Sequence, residues 1–355
     1  MRPRFQYWPR SAPARMPITD IVKMYSAGFA GCEFSPNKIR AAAEKFTSYI
    51  DGQGRWAHAS GDGAAHAYAI AGTGAGKLSL TFPAIGDLYA GALPGPAQQR
   101  GDCVSHAQKT ANLATLCNEI LHGQPDEVSG TLEAAPKITA AGIRNGALRT
   151  EAIYWYRGHG GDGWHCSESA TVSTTKAGCV VRRDFPEIGI DLTEYSGGLA
   201  GKYGRTEPPE VLGEVLNDHL VRTATRLDSL EQIADFCQNG YGINSCGGEG
   251  FSRTRDANGV SRRSGSWAHS MAYIGADLRP WVQQEYGVPG LVLVQNSWGK
   301  FNSGPRRIYG TGLDIQDGSF WAKWTDISRR SSFAMSSVNG WKAKKLPNFI
   351  PKGIV

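Results

Sequence analysis

Three side chains that could together move a proton and attack a carbonyl lie far apart in this sequence. Cys103 follows the Gly/Pro-rich, polar stretch PGPAQQRGD and opens a helix-like run, CVSHAQKTANL. A helix start presents unpaired backbone N–H groups and the positive end of the macrodipole, so a thiol there is biased toward thiolate. A thiolate nucleophile needs a base that takes its proton and later hands it to the leaving group. His269, in WAHSMAYIGA, sits in strand-like sequence that would hold an imidazole rigidly, and histidine titrates near neutrality. The imidazole needs a neighbour to fix its orientation and tautomer. Asn296, at the end of LVLVQNSWG, offers an amide carbonyl for that role, and Trp298 could cover the contact and exclude water.

Cysteine, histidine and asparagine in this order, with GDCV at a helix start and NSWG closing a strand, resemble the papain-like (C1-type) cysteine peptidases, in particular the Cys-Val variants of bacterial and phage genomes. The stretch EAIYWYRGHGGDGWHCSESA…AGCVVRRDFPE is similar to the middle region of that family, and the likeness spans roughly residues 90–330. The resemblance implies a two-subdomain fold, peptide-bond hydrolysis, a polypeptide substrate, no cofactor and no metal. It also implies a glutamine whose amide stabilises the oxyanion. The family's usual position for it, six before the nucleophile, is Ala97 here, so Gln98 is assigned the role with Gln99 held in reserve. Gly160 and Gly161 match the family loop that offers backbone hydrogen bonds to substrate, and Arg100 stands where secreted members carry a disulfide cysteine.

These residues need elements to hold them. Val104, Ala107, Ala111 and Ala114 form one stripe from Cys103 to about residue 122, which Leu113, Leu116, Cys117 and Ile120 widen into a helix with a buried face. Helices are also expected over 18–50, 207–222 and 228–238, the last with Ser229 before it and Glu231 early in it. WAHSMAYIGA, GLVLVQNSWG and GSFWAKWTDI read as strands. A helical first part and a β-rich second part predict an α+β fold. In it, a helical subdomain carries Cys103, a β-rich one carries His269 and Asn296, and the two meet along a cleft. The expected division is 1–90 as an N-terminal arm and helical extension, 91–330 as the catalytic domain, and 331–355 as a basic tail.

The bulk properties fit a globular chain of 355 residues with 45 glycines and a net charge of +6. The basic residues concentrate at the two ends, which reads as solvated tails or as tails docking on a protein assembly; no basic helix with interleaved aromatics favours nucleic acid. Seven cysteines without regular close spacing predict mostly free thiols and a reducing compartment. No apolar run is long enough to span a bilayer, and MRPRFQYWPRSAPARMP lacks the apolar core of a signal peptide. The expected location is cytoplasmic or virion-associated.

Other constellations carry less chemistry. GTGAGKLS at 72–79 has the wrong spacing for a phosphate loop and Leu78 where the metal-binding Ser or Thr would stand. His106 shares a helix face with Cys103 and is read as a packing or surface histidine. His159, Asp162, His165 and Cys166 follow no paired zinc spacing. A transglutaminase-like acyl transferase would put Asp in third place, where this chain has Asn296. The alternative to an enzyme is a structural protein of a larger assembly, such as a phage particle, that keeps the fold with little or no activity.

Overall fold

The computed structural model describes residues 64–89, 92–122, 148–217 and 219–338. The expected arm and the helix over 18–50 lie outside these residues. In chain order the helices are α1 (Ala64–Ile70), α2 (Phe82–Leu88), α3 (Cys103–Leu121), α4 (Glu151–Tyr154), α5 (Cys166–Thr175), α6 (Gly197–Ala200), α7 (Glu210–Asn217), α8 (Leu230–Gln238), α9 (Pro280–Tyr286) and α10 (Trp324–Ile327). The strands are β1 (Leu78–Leu80), β2 (Asp184–Phe185), β3 (Ile190–Asp191), β4 (Ala224–Leu227), β5 (Ile243–Arg255), β6 (Ser261–Asp277), β7 (Leu291–Gln295), β8 (Ser319–Lys323) and β9 (Ser331–Met335).

The fold is α+β. One antiparallel sheet runs β4-β9-β5-β6-β7-β8, and β1 pairs with the end of β6 through Leu78↔Asp277 and Leu80↔Gly275. β2 and β3 form a separate two-stranded ribbon. The three strands read from the sequence are β6, β7 and β8, with register Tyr273↔Val294 and Val294↔Phe320. Alternating and continuous apolar residues made them legible. β5 was not foreseen: INSCGGEGFSRTR has three glycines and scattered polar residues. It becomes a strand because β6 and β9 flank it and satisfy its backbone on both sides.

Segments at both edges of the expected division join the sheet or pack on it. Residues 64–89 are built into the domain, since β1 extends the sheet and α2 packs on α3. At the other end, 331–335 is strand β9, wholly buried and paired with both β4 and β5, so the sheet continues past residue 330.

Helix α3 lies against the sheet and is buried all round, not along a single stripe: every residue from Cys103 to Ile120 is buried. The approach is close enough to require glycine at 242, where a Cβ would lie 2.2 Å from the Ala111 carbonyl oxygen. Thr115 fastens the helix there, accepting from Gly242 N at 3.0 Å and donating to Met335 O at 2.9 Å. Polar residues in the middle of α3 join a buried network. Gln108 Nε2 donates to Asn112 Oδ1 (2.9 Å), and Asn244 Nδ2 donates to Gln108 Oε1 (2.8 Å) and Ser169 Oγ (2.9 Å). Ser270 Oγ completes it by donating to Asn244 Oδ1 at 2.8 Å. The network joins α3, α5, β5 and β6, the last through the residue next to His269.

The loop GTGAGKLS holds an anion of the chain itself. Gly72 N and Gly74 N donate to the Asp235 carboxylate of α8 at 2.9 and 2.7 Å. The shallow backbone cradle that invited a phosphate reading is therefore filled by a side chain.

The expectation of mostly free thiols holds among the described residues, with one pair as the exception. Cys166 at the start of α5 and Cys246 in β5 form a disulfide across 80 residues of sequence, while Cys103, Cys117, Cys179 and Cys237 are not disulfide-bonded. Connectivity of this kind follows from which elements the fold brings together, which spacing does not reveal. Replacing both residues (Cys166→Ala with Cys246→Ala) is expected to lower the unfolding free energy by about 2–4 kcal/mol, because the bond constrains a long loop in the unfolded chain. Urea unfolding, with the midpoint compared at constant slope, measures this.

Candidate functional site

The site is assembled from the start of α3, the middle of β6 and the turn after β7. Asp102 is the N-cap of α3 and makes no side-chain cap bond; its carbonyl takes the N–H groups of Ser105 and His106 at 3.0 and 3.1 Å. Cys103 is the first helical residue, as the sequence predicts. The turn before it is crowded: a Cβ on Gly101 would lie 2.7 Å from Asp162 Cβ. Gly163 N donates to Gly101 O at 2.9 Å, and Arg100 pairs with Asp162 at 2.6 Å. The Gly160–Gly161 loop is thereby docked beside the helix start, with Gly161 O taking Arg157 Nε at 2.8 Å.

His269 lies in β6 opposite Gly247. Its Nε2 is 2.7 Å from Asn296 Oδ1, and that oxygen also accepts the Ser297 N–H at 2.7 Å. Two donors on one amide oxygen identify Nε2 as the protonated ring nitrogen, which leaves Nδ1 as the proton acceptor of the neutral ring. Trp298 stacks on the imidazole, with centroids 4.5 Å apart and planes 29° apart. Trp267 and Phe301 pack against Trp298 at 4.7 and 5.1 Å, so an aromatic wall shields the His–Asn contact.

The two halves converge. His106, one turn along α3 from Cys103, shares a small cavity with Asn296 and Ser297, and Gln98 N donates to Ser297 O at 2.8 Å. The two glutamines diverge from this point. Gln98 Oε1 accepts from Ser297 Oγ and its Nε2 donates to Arg100 O at 2.9 Å. Gln99 Oε1 instead takes Gly197 N at 3.0 Å. Gln98 is therefore the glutamine against the Asn296–Ser297 turn. Cys103, His269 and Asn296 are only 2–3% exposed, so these groups lie under cover.

Beneath the strand, Arg330 donates to His269 O at 2.7 Å and pairs with Glu249 at 3.2 Å. It anchors the backbone that carries the imidazole, a role no local pattern in the sequence signals.

A second buried group of charges runs along α3 from its first turn. Asp102 Oδ2 accepts from Tyr195 OH at 2.8 Å and lies 3.6 Å from His106 Nε2. Burial raises the Asp102 pKa to about 7 against the Tyr195 hydrogen bond, with the charges of Cys103 and Glu151 adding to the rise. Burial, then Lys109, Arg182 and His269, hold His106 well below the ordinary histidine value, so it is a neutral packing residue there. Burial followed by the charge of Arg182 lowers Lys109 to about 7. The i,i+4 spacing of Asp102 and His106 was the one sequence signal of this cluster; Tyr195 and Arg182 reach it only through the tertiary fold.

Three of the four residues considered as a metal group, Asp162, His165 and Cys166, take other roles. Asp162 pairs with Arg100 and accepts from Tyr154 OH at 3.0 Å. The His165 side chain caps α5 by accepting from Ser167 N at 3.2 Å. His165 has Cys166 and Cys246 nearby, their ligand atoms all within 4.8 Å, but the disulfide takes both sulfurs out of thiolate form.

No family model matches the chain, and no curated protein matches it. Among solved structures it is similar to xylellain, a cysteine protease from Xylella fastidiosa, at 14% identity and a TM-score of 0.42, covering 68% of this chain and 82% of that one. It is also similar to procathepsin L 3 of the Tenebrio molitor larval midgut, at 12% identity and a TM-score of 0.36, covering 68% and 66%. A third is procathepsin B S9 from Trypanosoma congolense, at 9% identity and a TM-score of 0.39, covering 74% and 77%. No helix among the described residues is long and apolar enough to cross a membrane.

Arg330→Met is expected to cost about 3 kcal/mol, because it strands the mostly buried Glu249 without its partner. Arg330→Lys should recover only part of that loss, since a single ammonium cannot also span to His269 O. Denaturant unfolding of the two variants checks both.

Proposed function

We propose that this chain is a papain-like thiol hydrolase that cleaves peptide bonds. The observation that carries the reading is the His269 Nε2–Asn296 Oδ1 bond under the Trp298 ring, because it leaves Nδ1 basic in a site that also borders the first turns of the cysteine-bearing helix. In the reaction, His269 Nδ1 takes the Cys103 proton and Sγ attacks the carbonyl carbon, whose π electrons move to oxygen. The oxyanion is met by the Cys103 backbone N–H and the Gln98 amide. Collapse of the intermediate breaks the C–N bond, and the imidazolium protonates the departing amine. Water, deprotonated by the same imidazole, then releases the acid and restores the thiol. Gly160 and Gly161 present backbone groups to an extended polypeptide. No cofactor or metal enters this scheme.

The shielding of the reactive groups favours a second reading, a fold-retaining component of a protein assembly with little or no activity. Its tails, partly outside the described residues, would dock on that assembly, and a virion or cytoplasmic setting suits it. The two readings differ at Cys103. Under the hydrolase reading, iodoacetamide modifies Cys103 at neutral pH, followed at that residue by peptide mass spectrometry. His269→Ala slows the modification at least tenfold, and Cys103→Ala abolishes cleavage of an unfolded protein substrate. Equal modification of wild type and His269→Ala, with no cleavage by either, selects the assembly reading. With cleavage in hand, Gln98→Ala should lower kcat by about a hundred- to a thousand-fold, the usual loss of one oxyanion donor, and Gln99→Ala far less.

A further inference from the structure

Beside the nucleophile stands a carboxyl group that the proposed chemistry does not use. Asp102 is fully buried, directly precedes Cys103 and occupies the N-cap without capping the helix. Its Oδ2 accepts from Tyr195 OH, and the same hydroxyl accepts the Gln99 N–H at 3.0 Å. Tyr195 therefore ties the glutamine turn to the carboxyl group. Around Asp102 lie Tyr195 and His106, the thiol of Cys103, the carboxylate of Glu151 and the guanidinium of Arg157.

A helix start supplies about half a positive charge. It can offset one anion well and two poorly, and here two ionisable groups on consecutive residues compete for it. We infer that Asp102 is a positioning residue that acts through Cys103: uncharged, it leaves the helix end to the thiolate, and ionised, it opposes thiolate formation. The inference rests on the hydrolase reading, in which Cys103 is the nucleophile. No bond is made or broken at Asp102; it exchanges a proton with solvent. Neutral His106 and Tyr195 bring no full charge to offset the carboxylate, Arg157 draws it toward the ionised form, and Glu151 repels it.

The sign of the linked stability follows. Asp102 folded titrates near 7, above the ordinary value of the unfolded chain. The folded state is favoured while the group is protonated, and this contribution is lost as pH rises from about 4 toward about 7. Relative to Asp102→Asn, the wild type should lose stability across that window.

The experiment is the pH profile of iodoacetamide modification at Cys103 in the full chain, for wild type, Asp102→Asn, Tyr195→Phe and His269→Ala. Asp102→Asn should move the midpoint of thiolate formation about one unit lower, the size of shift that removing a neighbouring like charge produces. Tyr195→Phe removes the donor that stabilises the Asp102 anion, keeps the carboxyl protonated to higher pH, and should move the midpoint in the same direction by less. A merely structural role for Asp102 would lower stability and leave the midpoint in place. Coincident wild-type and Asp102→Asn profiles, or a midpoint that rises, overturn the inference. If Asp102→Asn does not fold, Tyr195→Phe decides: a lower midpoint supports the inference and an unchanged one overturns it. Failure of the underlying reading looks different, because wild type and His269→Ala would then give the same profile.

Discussion

The hydrogen bond between His269 and Asn296 is the interaction on which the rest of the site depends. One amide oxygen takes two N–H groups, from the imidazole and from Ser297, and this choice of acceptor settles both the ring orientation and its tautomer. The surrounding architecture serves to keep that contact dry and fixed. Trp298 lies over the ring, Trp267 and Phe301 brace Trp298, and Arg330 holds the carbonyl of His269 from below. An exposed pair of this kind would exchange with water and lose its directional preference.

Burying α3 on all sides has a polar cost that the fold offsets in two ways. In the middle of the helix, Gln108 and Asn112 join Asn244, Ser169 and Ser270 in mutual hydrogen bonds, so little donor or acceptor capacity there is stranded. Toward the first turn the compensation is by charge. Lys109, Arg149 and Arg182 stand near Glu151, and burial and mutual repulsion pull the lysine and Arg149 below their ordinary pKa values. The helix therefore grades from a hydrogen-bonded middle to an electrically stressed start, and Cys103 sits at the stressed end. A fully apolar helix would pack as well but would not place titratable groups beside Cys103.

The thiol of Cys103 is as deeply covered as the His–Asn contact. That fact bears equally on chemistry and on a purely structural role, since a site with so little exposure has to admit substrate to work at all. The disulfide between Cys166 and Cys246 belongs to this economy of enclosure. It closes α5 onto β5 one residue before Gly247, the register partner of His269, and so fixes the helical layer against the strand pair that bears His269.

How much of this was legible depends on the range of the interactions. Cys103 at a helix start, Ser229 as a cap and the strands bearing His269 and Asn296 follow from local chemistry: side-chain periodicity, cap preference and β-branched runs act over a few residues. β5 was hidden because its glycines carry no periodic signal and its order comes from neighbours in the sheet. The sequence alone determined which residue types could form a thiol–imidazole–amide row, and the kinds of element that would carry them. Only the tertiary structure decided that Gln98 and not Gln99 turns toward Ser297, that Asp235 fills the glycine loop, that Cys166 meets Cys246, and that Tyr195 reaches the buried carboxyl group of Asp102. The physical reason is that each of these contacts joins groups on different elements, and their energy depends on burial and distance, which do not exist until the chain has folded.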